Sequence, residues 1–473
     1  MKKLLIISVA FIIVFECYGE KKRLLSDGTI ECTVQNGVII TPLPKRDKDQ
    51  KDMLKFACAP IPIVRIGFVG LGMRGIEAVE RFTYLNGVEI KALCDLHPDR
   101  VEKCQNILEK KGLPKATNYS GTEEAWKKMC ERDDIDLIYI CTDWKHHTPI
   151  ALYAMKHNKH VACEVPTAST LKEIWDLINT SEKSRKHCIQ LENCVYDFFE
   201  LTTLNMVQQG LFGEIVHTEG SYQHNLADFW DYYENDWRMK FNKAYKGDIY
   251  ATHGMGPACQ PLNIHRGDKL NLLVAMETKA FKLPEYLKEK RGETARDFKN
   301  GDITMTMIQT EKGKTIHIQH CVADPRPYSR MYQITGTKGF ANKYPVEGYS
   351  FEEIGKIGKE LLPDHQNLSS HSYVPAKIKE VMMEKYKHPI LKEIEVKAKE
   401  VGGHGGMDFI MDYRLIYCLQ KGLPLDMDVY DMAEWCCVGP LSRLSIENNS
   451  MPVAIPDFTR GNWNRLNGLT FEY

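Results

Sequence analysis

The sequence predicts an α/β protein: an N-terminal doubly wound parallel sheet of the Rossmann type, then a larger α+β domain with a mostly antiparallel sheet. Three observations carry this. Between residues 61 and 193, short apolar runs alternate with segments of helical period. The stretch GFVGLGMRG (67–75) sets a glycine-rich turn between the first such strand and its helix. Beyond Asn193 the apolar residues instead alternate with polar ones over several runs, the period of half-buried strands.

The 473 residues leave room for two or three domains and a large core. Hydrophobic content of 43% and charged content of 26% are ordinary for a globular chain. A formal net charge of −1 gives no general pull toward nucleic acid or an anionic membrane. Lys2 and Lys3 precede an apolar stretch from Leu4 to Phe15, which falls short of the ~20 residues of a spanning helix. With the small residues of CYGE following, residues 1–19 read as a secretory signal cleaved after Gly19. Lipoprotein processing at Cys17 is the weaker reading, because Glu16 directly before it fits poorly. An exported protein, periplasmic or at the cell surface, is expected. No later apolar run is long enough for a transmembrane anchor, so the mature protein should be soluble.

Of the 15 cysteines, Cys17 leaves with the signal. No CxxC pair and no histidine at zinc spacing accompanies the rest, so no metal site is expected. Cys94, Cys141, Cys163 and Cys188 fall in apolar strand patterns and behave there as small hydrophobes.

Residues 20–60 are polar, basic and irregular, and read as an extended arm. Residues 61–193 form the expected dinucleotide-binding domain. IVRIGFVG is a strand, IEAVERFTYL a helix, VEIKALCD a strand and PDRVEKCQNILEKKG a helix. Strands follow at 135–142, 159–166 and 186–193, separated by the helical runs HTPIALYAMKH and TLKEIWDLINTSEKS. Residues 194–473 form the expected substrate domain. It has a helix through ELTTLNMVQQG, then the alternating runs EIVHTEGSYQ, KLNLLVAMETKA, ITMTMIQTEKGKTIHIQHCV and RMYQITGTKGFANKY. GGMDFIMDYRLIYCLQKG is a further helix, and PDFTRGNWNRLNGLTFEY a tail that packs back.

A lone GxGxxG is a weak signal, but this one follows a strand, opens a helix, and Asp95 closes the next strand twenty residues after Gly75. Gly70 permits the tight turn, Gly72 lets the backbone approach a pyrophosphate, and Gly75 lets helix and strand pack. Met73 and Arg74 complete the loop, whose helix N-terminus offers partial positive charge to phosphates. Asp95 suits ribose hydroxyls and repels a 2′-phosphate, favouring NAD over NADP. The strand ends supply the remaining cradle candidates: Trp144 and His147 in TDWKHH, Glu164 and Val165 in EVP, and Asn193.

GFVGLGMRG, Asp95, TDWKHH and EVP together resemble the glucose–fructose oxidoreductase and inositol dehydrogenase superfamily. Members usually carry Glu-Lys-Pro where this chain has EVP, and the lysine polarises the hydroxyl being oxidised. Val165 stands in its place. A fuller resemblance, from about Arg65 to the C-terminus, is to glycoside hydrolase family 109, the NAD-dependent alpha-N-acetylgalactosaminidases. It rests on WKHH, CEVP, LENCVYD, the Trp and Arg of NDWRMK, GDIYATHGMGP, GHGGMDF and PDFTRG.

The resemblance implies an enzyme whose NAD stays bound through turnover and whose substrate is a glycan or small glycoside ending in N-acetylgalactosamine. The implied cycle oxidises the sugar at C3 and so acidifies the C2 hydrogen. A base then removes that proton, the aglycone leaves C1, water adds, and reduction at C3 closes the cycle. This departs from the two-carboxylate scheme of most glycosidases. A redox-neutral cycle also suits an exported protein, since it draws on no external nicotinamide pool.

His253, within GDIYATHGMG, is the principal acid–base candidate, because histidine is the side chain suited to proton transfer near neutral pH. Tyr250 should touch both sugar and nicotinamide. Glu164 should orient a hydroxyl in place of the missing lysine, or pair with His146 or His147. Tyr222 and Tyr328 match family positions contacting sugar, and Arg238 offers donors for sugar oxygens. The aromatic stretch ADFWDYYENDW (227–237) suits the apolar faces of sugar rings, or a packed loop or dimer contact; a homo-oligomer stays open. GGHGGMD (402–408) is placed beside the site by family match alone. A sugar or cyclitol dehydrogenase using free NAD is the rival enzyme, and a sugar-binding protein with a vestigial NAD site the non-catalytic alternative.

Overall fold

A computed structural model describes residues 24–294, 298–352, 354–362 and 370–473. The signal reading of residues 1–19, with its Cys17 alternative, lies outside the described residues.

Six parallel strands make the first sheet: β1 (Val64–Val69), β2 (Val88–Asp95), β3 (Thr117–Ser120), β4 (Leu137–Ile140), β5 (His160–Cys163) and β6 (Cys188–Gln190). Their order is β3-β2-β1-β4-β5-β6, the doubly wound arrangement whose order reverses between β1 and β4. Continuous burial along β4, β5 and β6, and along β1 after Arg65, follows from helices on both faces. β4 to β6 are shorter than the apolar runs that announce them. Their polar ends, Thr142 and Asp143 after β4 and Glu164 after β5, leave the ladder to form the turns of the site.

The second sheet has eleven strands and is mostly antiparallel. Its centre joins Leu270–Glu277, Thr304–Thr310, Thr315–Cys321 and Ile215–Gln223. The pair Ile215–Gln223 with Thr315–Cys321 is parallel. Strict alternation along Thr304–Thr310 buries one face and exposes the other.

The N-terminal arm differs from the irregular segment expected. Leu24–Ser26, Glu31–Gln35 and Val38–Ile40 are strands at one edge of the large sheet, docked through a parallel bridge to Val453–Ala454. Asn36 and Gly37, at φ 50° and 74°, form the left-handed turn that the twist of a two-residue hairpin requires. The sequence encodes this turn as Asn-Gly between ECTVQ and VII.

Arm and tail meet on the Rossmann domain through Glu182, a fully buried carboxylate in the helix Leu171–Ser184. It accepts from Arg46 at 2.9 Å, Arg460 at 2.8 Å and the Tyr430 hydroxyl at 2.6 Å. A buried charge is tolerated because three donors replace its water.

Candidate active site

A cleft of about 350 Å³ opens beyond the C-terminal ends of β1, β2 and β4. Gly70, Gly72, Met73, Arg74 and Asp95 line it, and Trp237 and Glu234 reach it from the other domain. Gly70 sits at φ +83°, and a Cβ there would lie 2.6 Å from the Cys141 carbonyl carbon. A Cβ on Gly75 would lie 1.9 Å from the Gly70 carbonyl oxygen. On Gly72 it would meet no protein atom within 4 Å, so this backbone lies bare toward open space. Gly72 also caps the helix Met73–Phe82, whose first N–H groups are left for a ligand. The Asp95 carboxylate accepts from the Leu71 amide at 2.6 Å and the His97 amide at 2.8 Å. It therefore shapes the loop while remaining at the ribose end. These residues fit a dinucleotide.

Beneath the loop lies a network that corrects several expectations. Arg74 donates to Glu164 Oε1 at 2.9 Å and to Asp408 Oδ2 at 2.9 Å, so its guanidinium ties the loop down. Of the two roles expected of Glu164, orienting a hydroxyl or pairing with His146 or His147, the structure corrects the second. Glu164 pairs with Arg74 instead, a permanent cation with a donor fork that histidine lacks. His146 pairs with Asp143. Both ring nitrogens of His147 face carbonyls, Pro166 at 2.8 Å and Thr142 at 2.9 Å, and burial lowers its pKa. His147 thus joins two turns and does not reach into the cleft. Asn193 Nδ2 donates to Asp408 Oδ1 at 2.6 Å, so the Asn193 amide is likewise committed to the network. Burial alone would raise the Asp408 carboxyl, but Arg74, His404 and Arg81 hold it well below the usual range. The GGHGGMD segment therefore sits beside the site through His404 and Asp408.

The second half of the site is an aromatic box. Trp144 stacks on Tyr250 at 5.4 Å between centroids and meets Trp237 edge-on at 5.1 Å, joining the box to the cleft. Tyr222 packs edge-on to Tyr250 at 4.6 Å. Val165, in the turn EVP, is buried in this apolar cluster. The Arg238 guanidinium lies 4.7 Å from the Tyr250 ring centre and donates from Nη1 to the Tyr233 hydroxyl at 2.8 Å. Its Nε and Nη2 are buried without a hydrogen-bond partner. Such donors are costly unless a ligand's oxygens take them.

His253 occupies the first turn of the helix Thr252–Cys259. That helix packs tightly on Ile215–Gln223, where a Cβ on Gly220 would come within 2.3 Å of the Gly254 carbonyl oxygen. The close approach brings His253 to 5.5 Å from the Tyr222 ring. His253 Nδ1 lies 2.6 Å from Glu192 Oε1, and Nε2 lies 3.3 Å from the Tyr250 hydroxyl. Burial pushes the Glu192 carboxyl up, but His253 and the Cys194 amide outweigh it and lower its pKa. Glu192 was missed in the sequence. It ends the same run as Asn193, and strand geometry could not say which of the two faces the histidine. Tyr328 is 42% exposed, accepts from Arg330 at 3.4 Å, and reaches the box through His224 at 5.2 Å. His224 is a further ring that sequence reasoning missed.

Two residues before Tyr250, Asp248 is fully buried, and burial raises its pKa from 3.8 to about 7. The folded carboxyl thus keeps its proton to higher pH than the unfolded one, so stability falls as pH rises from about 3.8 to about 7. In Asp248→Asn that slope should vanish. The variant's Tm should gain on the wild type across this window and no further above it, as scanning calorimetry at several pH values would show.

Residues 196–465 match the family model for the glycosyl hydrolase 109 C-terminal domain, more than half of the chain. The chain belongs to glycosyl hydrolase family 109. Residues 64–191 match the oxidoreductase family model for an NAD-binding Rossmann fold. The chain is 64% identical over 427 residues to glycosyl hydrolase family 109 protein 1 of Phocaeicola vulgatus, covering 90% of each chain. It is 62% identical over 425 residues to a family 109 protein of Porphyromonas gingivalis, covering 90% of this chain and 91% of the relative. Among solved structures, levoglucosan dehydrogenase with NADH and levoglucosan has the same fold, with TM-score 0.58 and 16% identity over 83% of this chain and all of that one. So does myo-inositol dehydrogenase of Lactobacillus casei with NAD(H) and myo-inositol, with TM-score 0.55 and 15% identity over 84% and 99%. This family 109 protein is therefore a glycoside hydrolase built on an NAD-binding fold, and NAD is its cofactor.

Proposed function

We propose that this family 109 protein is exported and hydrolyses terminal alpha-linked N-acetylgalactosamine with no net redox change. The observation that carries the reading is the line Glu192–His253–Tyr250, ending in the aromatic box beside the unpaired donors of Arg238. Gly70, Gly72, Met73 and Asp95 would hold NAD. Bound NAD supplies the oxidation of the sugar at C3 and the reduction that closes the cycle.

The chain supplies the proton chemistry. Glu192 Oε1 takes the hydrogen bond of His253 Nδ1–H, which leaves Nε2 as the proton acceptor. The Tyr250 hydroxyl at 3.3 Å relays a proton between a sugar hydroxyl and Nε2. Nε2 then returns the proton, so the side chains end each cycle as they began. Arg238 Nε and Nη2 donate to sugar oxygens, while Trp144, Tyr222 and Tyr250 exclude water and cover the ring's apolar face. Val165 leaves that position without the lysine that would polarise the oxidised hydroxyl. The segment LLIISVAFIIVF and the independence from an external nicotinamide pool support export.

The test is an aryl alpha-N-acetylgalactosaminide given to purified protein without added NAD. The expected result is steady release of the aryl alcohol with no accumulation of NADH absorbance. Stoichiometric NADH formation would overturn the redox-neutral reading, and turnover of other glycosides in preference would overturn the specificity.

A further inference from the structure

Glu234 belongs to the substrate domain but lies across the cleft from it, against the Rossmann domain. Its Oε1 is 2.5 Å from His97 Nε2, and its Oε2 accepts from Arg100 Nη2 at 2.9 Å. His97 caps the helix Pro98–Lys110, and Arg100 lies in that helix's first turn. Both therefore stand just beyond β2, where the adenosine ribose of a dinucleotide lies and where a cation would accommodate a 2′-phosphate. Arg100 Nη1 also faces Asp95 Oδ1 at 3.5 Å. Two carboxylates thus occupy the two bases that could otherwise bind that phosphate.

Glu234 is also held in place. It lies in a strap with Asn235 and Asp236 in the left-handed region, at φ 52° and 54°. Arg291 pins the strap on either side of Glu234, through Asp231 at 2.8 Å and Asp236 at 2.9 Å. Tyr233 next to it binds Arg238 of the aromatic box. One short segment thus spans from the ribose end of the cleft to the sugar site.

We propose that Glu234 is a cofactor-specificity residue supplied by the substrate domain: it neutralises Arg100 and occupies His97 against a 2′-phosphate, and it latches the strap over bound NAD. This rests on NAD as the cofactor and not on the sugar specificity.

The test uses nucleotide-stripped full-length protein, with NAD and NADP titrated by calorimetry and NAD release timed by dilution into nucleotide-free buffer. In Glu234→Gln and Glu234→Ala, the Kd ratio of NADP to NAD should fall about tenfold or more, the scale of a lost charge-assisted pairing. NAD release should quicken by a similar factor. Arg100→Ala should quicken release without improving NADP binding, because the latch is cut and the cation is gone as well. Asp176→Asn, which loses only an exposed contact to Lys172, should leave the Kd ratio unchanged. A ratio and a release rate in both Glu234 variants within about twofold of wild type would overturn the proposal. If wild type bound neither nucleotide, the cofactor assignment itself would fall.

Discussion

His253→Ala is expected to lower kcat for glycoside cleavage by roughly 10²–10⁴-fold, the contribution of a positioned acid–base group. Bound NAD should remain at wild-type occupancy, because His253 touches Glu192, Tyr250 and Tyr222 but none of the glycine loop. Glu192→Gln should cost less, since its carboxylate orients the ring and does not itself touch substrate. The double variant should be no worse than His253→Ala, because the two residues act as one unit. Additive losses would show that Glu192 has a separate role. Full activity in His253→Ala would remove the histidine from the mechanism.

The same variant carries a stability signature. In the wild type, His253 offsets the burial of Glu192 and holds its carboxyl below its usual value of 4.5. That contribution is present above about pH 4.5 and fades as pH falls through the lowered folded value. Without the ring, only the Cys194 amide remains to offset burial of the carboxylate, and the lost donor costs about 1–3 kcal/mol. The Tm deficit of His253→Ala should therefore widen as pH rises from about 4 toward neutrality.

Gly75→Ala should abolish NAD binding and destabilise the Rossmann domain together. Its methyl would sit 1.9 Å from the Gly70 carbonyl oxygen, so loop and helix must separate. Gly72→Ala provides the contrast. Its methyl meets no protein atom within 4 Å, so Tm should hold to within the ~0.5 kcal/mol of a neutral surface change. NAD affinity should still drop about tenfold or more, because the methyl occupies space the pyrophosphate must approach. Nucleotide content after gel filtration, read beside melting curves, separates the two cases. If Gly72→Ala retained full NAD occupancy, the loop would not be the phosphate cradle.

Much of the first domain was legible because its signals are local. GFVGLGMRG, the spacing to Asp95 and the apolar runs each report on neighbours a few residues away, and the observed strand order follows from them. Strand ends were harder. TDWKHH, EVP and Asn193 are each legible as strand ends facing the site, but the direction of each side chain is not. His147 turned inward to two carbonyls, and Asn193 turned to Asp408. Of LEN it was Glu192 that met the histidine.

What the sequence determined by itself was the parallel sheet, the glycine cradle and a titratable histidine near a tyrosine, since each depends on periodicity or short spacing. Tertiary structure alone decided who partners whom. Arg74 meets Asp408 across 334 residues, and Glu234 meets Arg100 across 134. Such pairings form because burial strips water from charges and each must find a counter-charge wherever packing delivers one, and no local pattern encodes that distance.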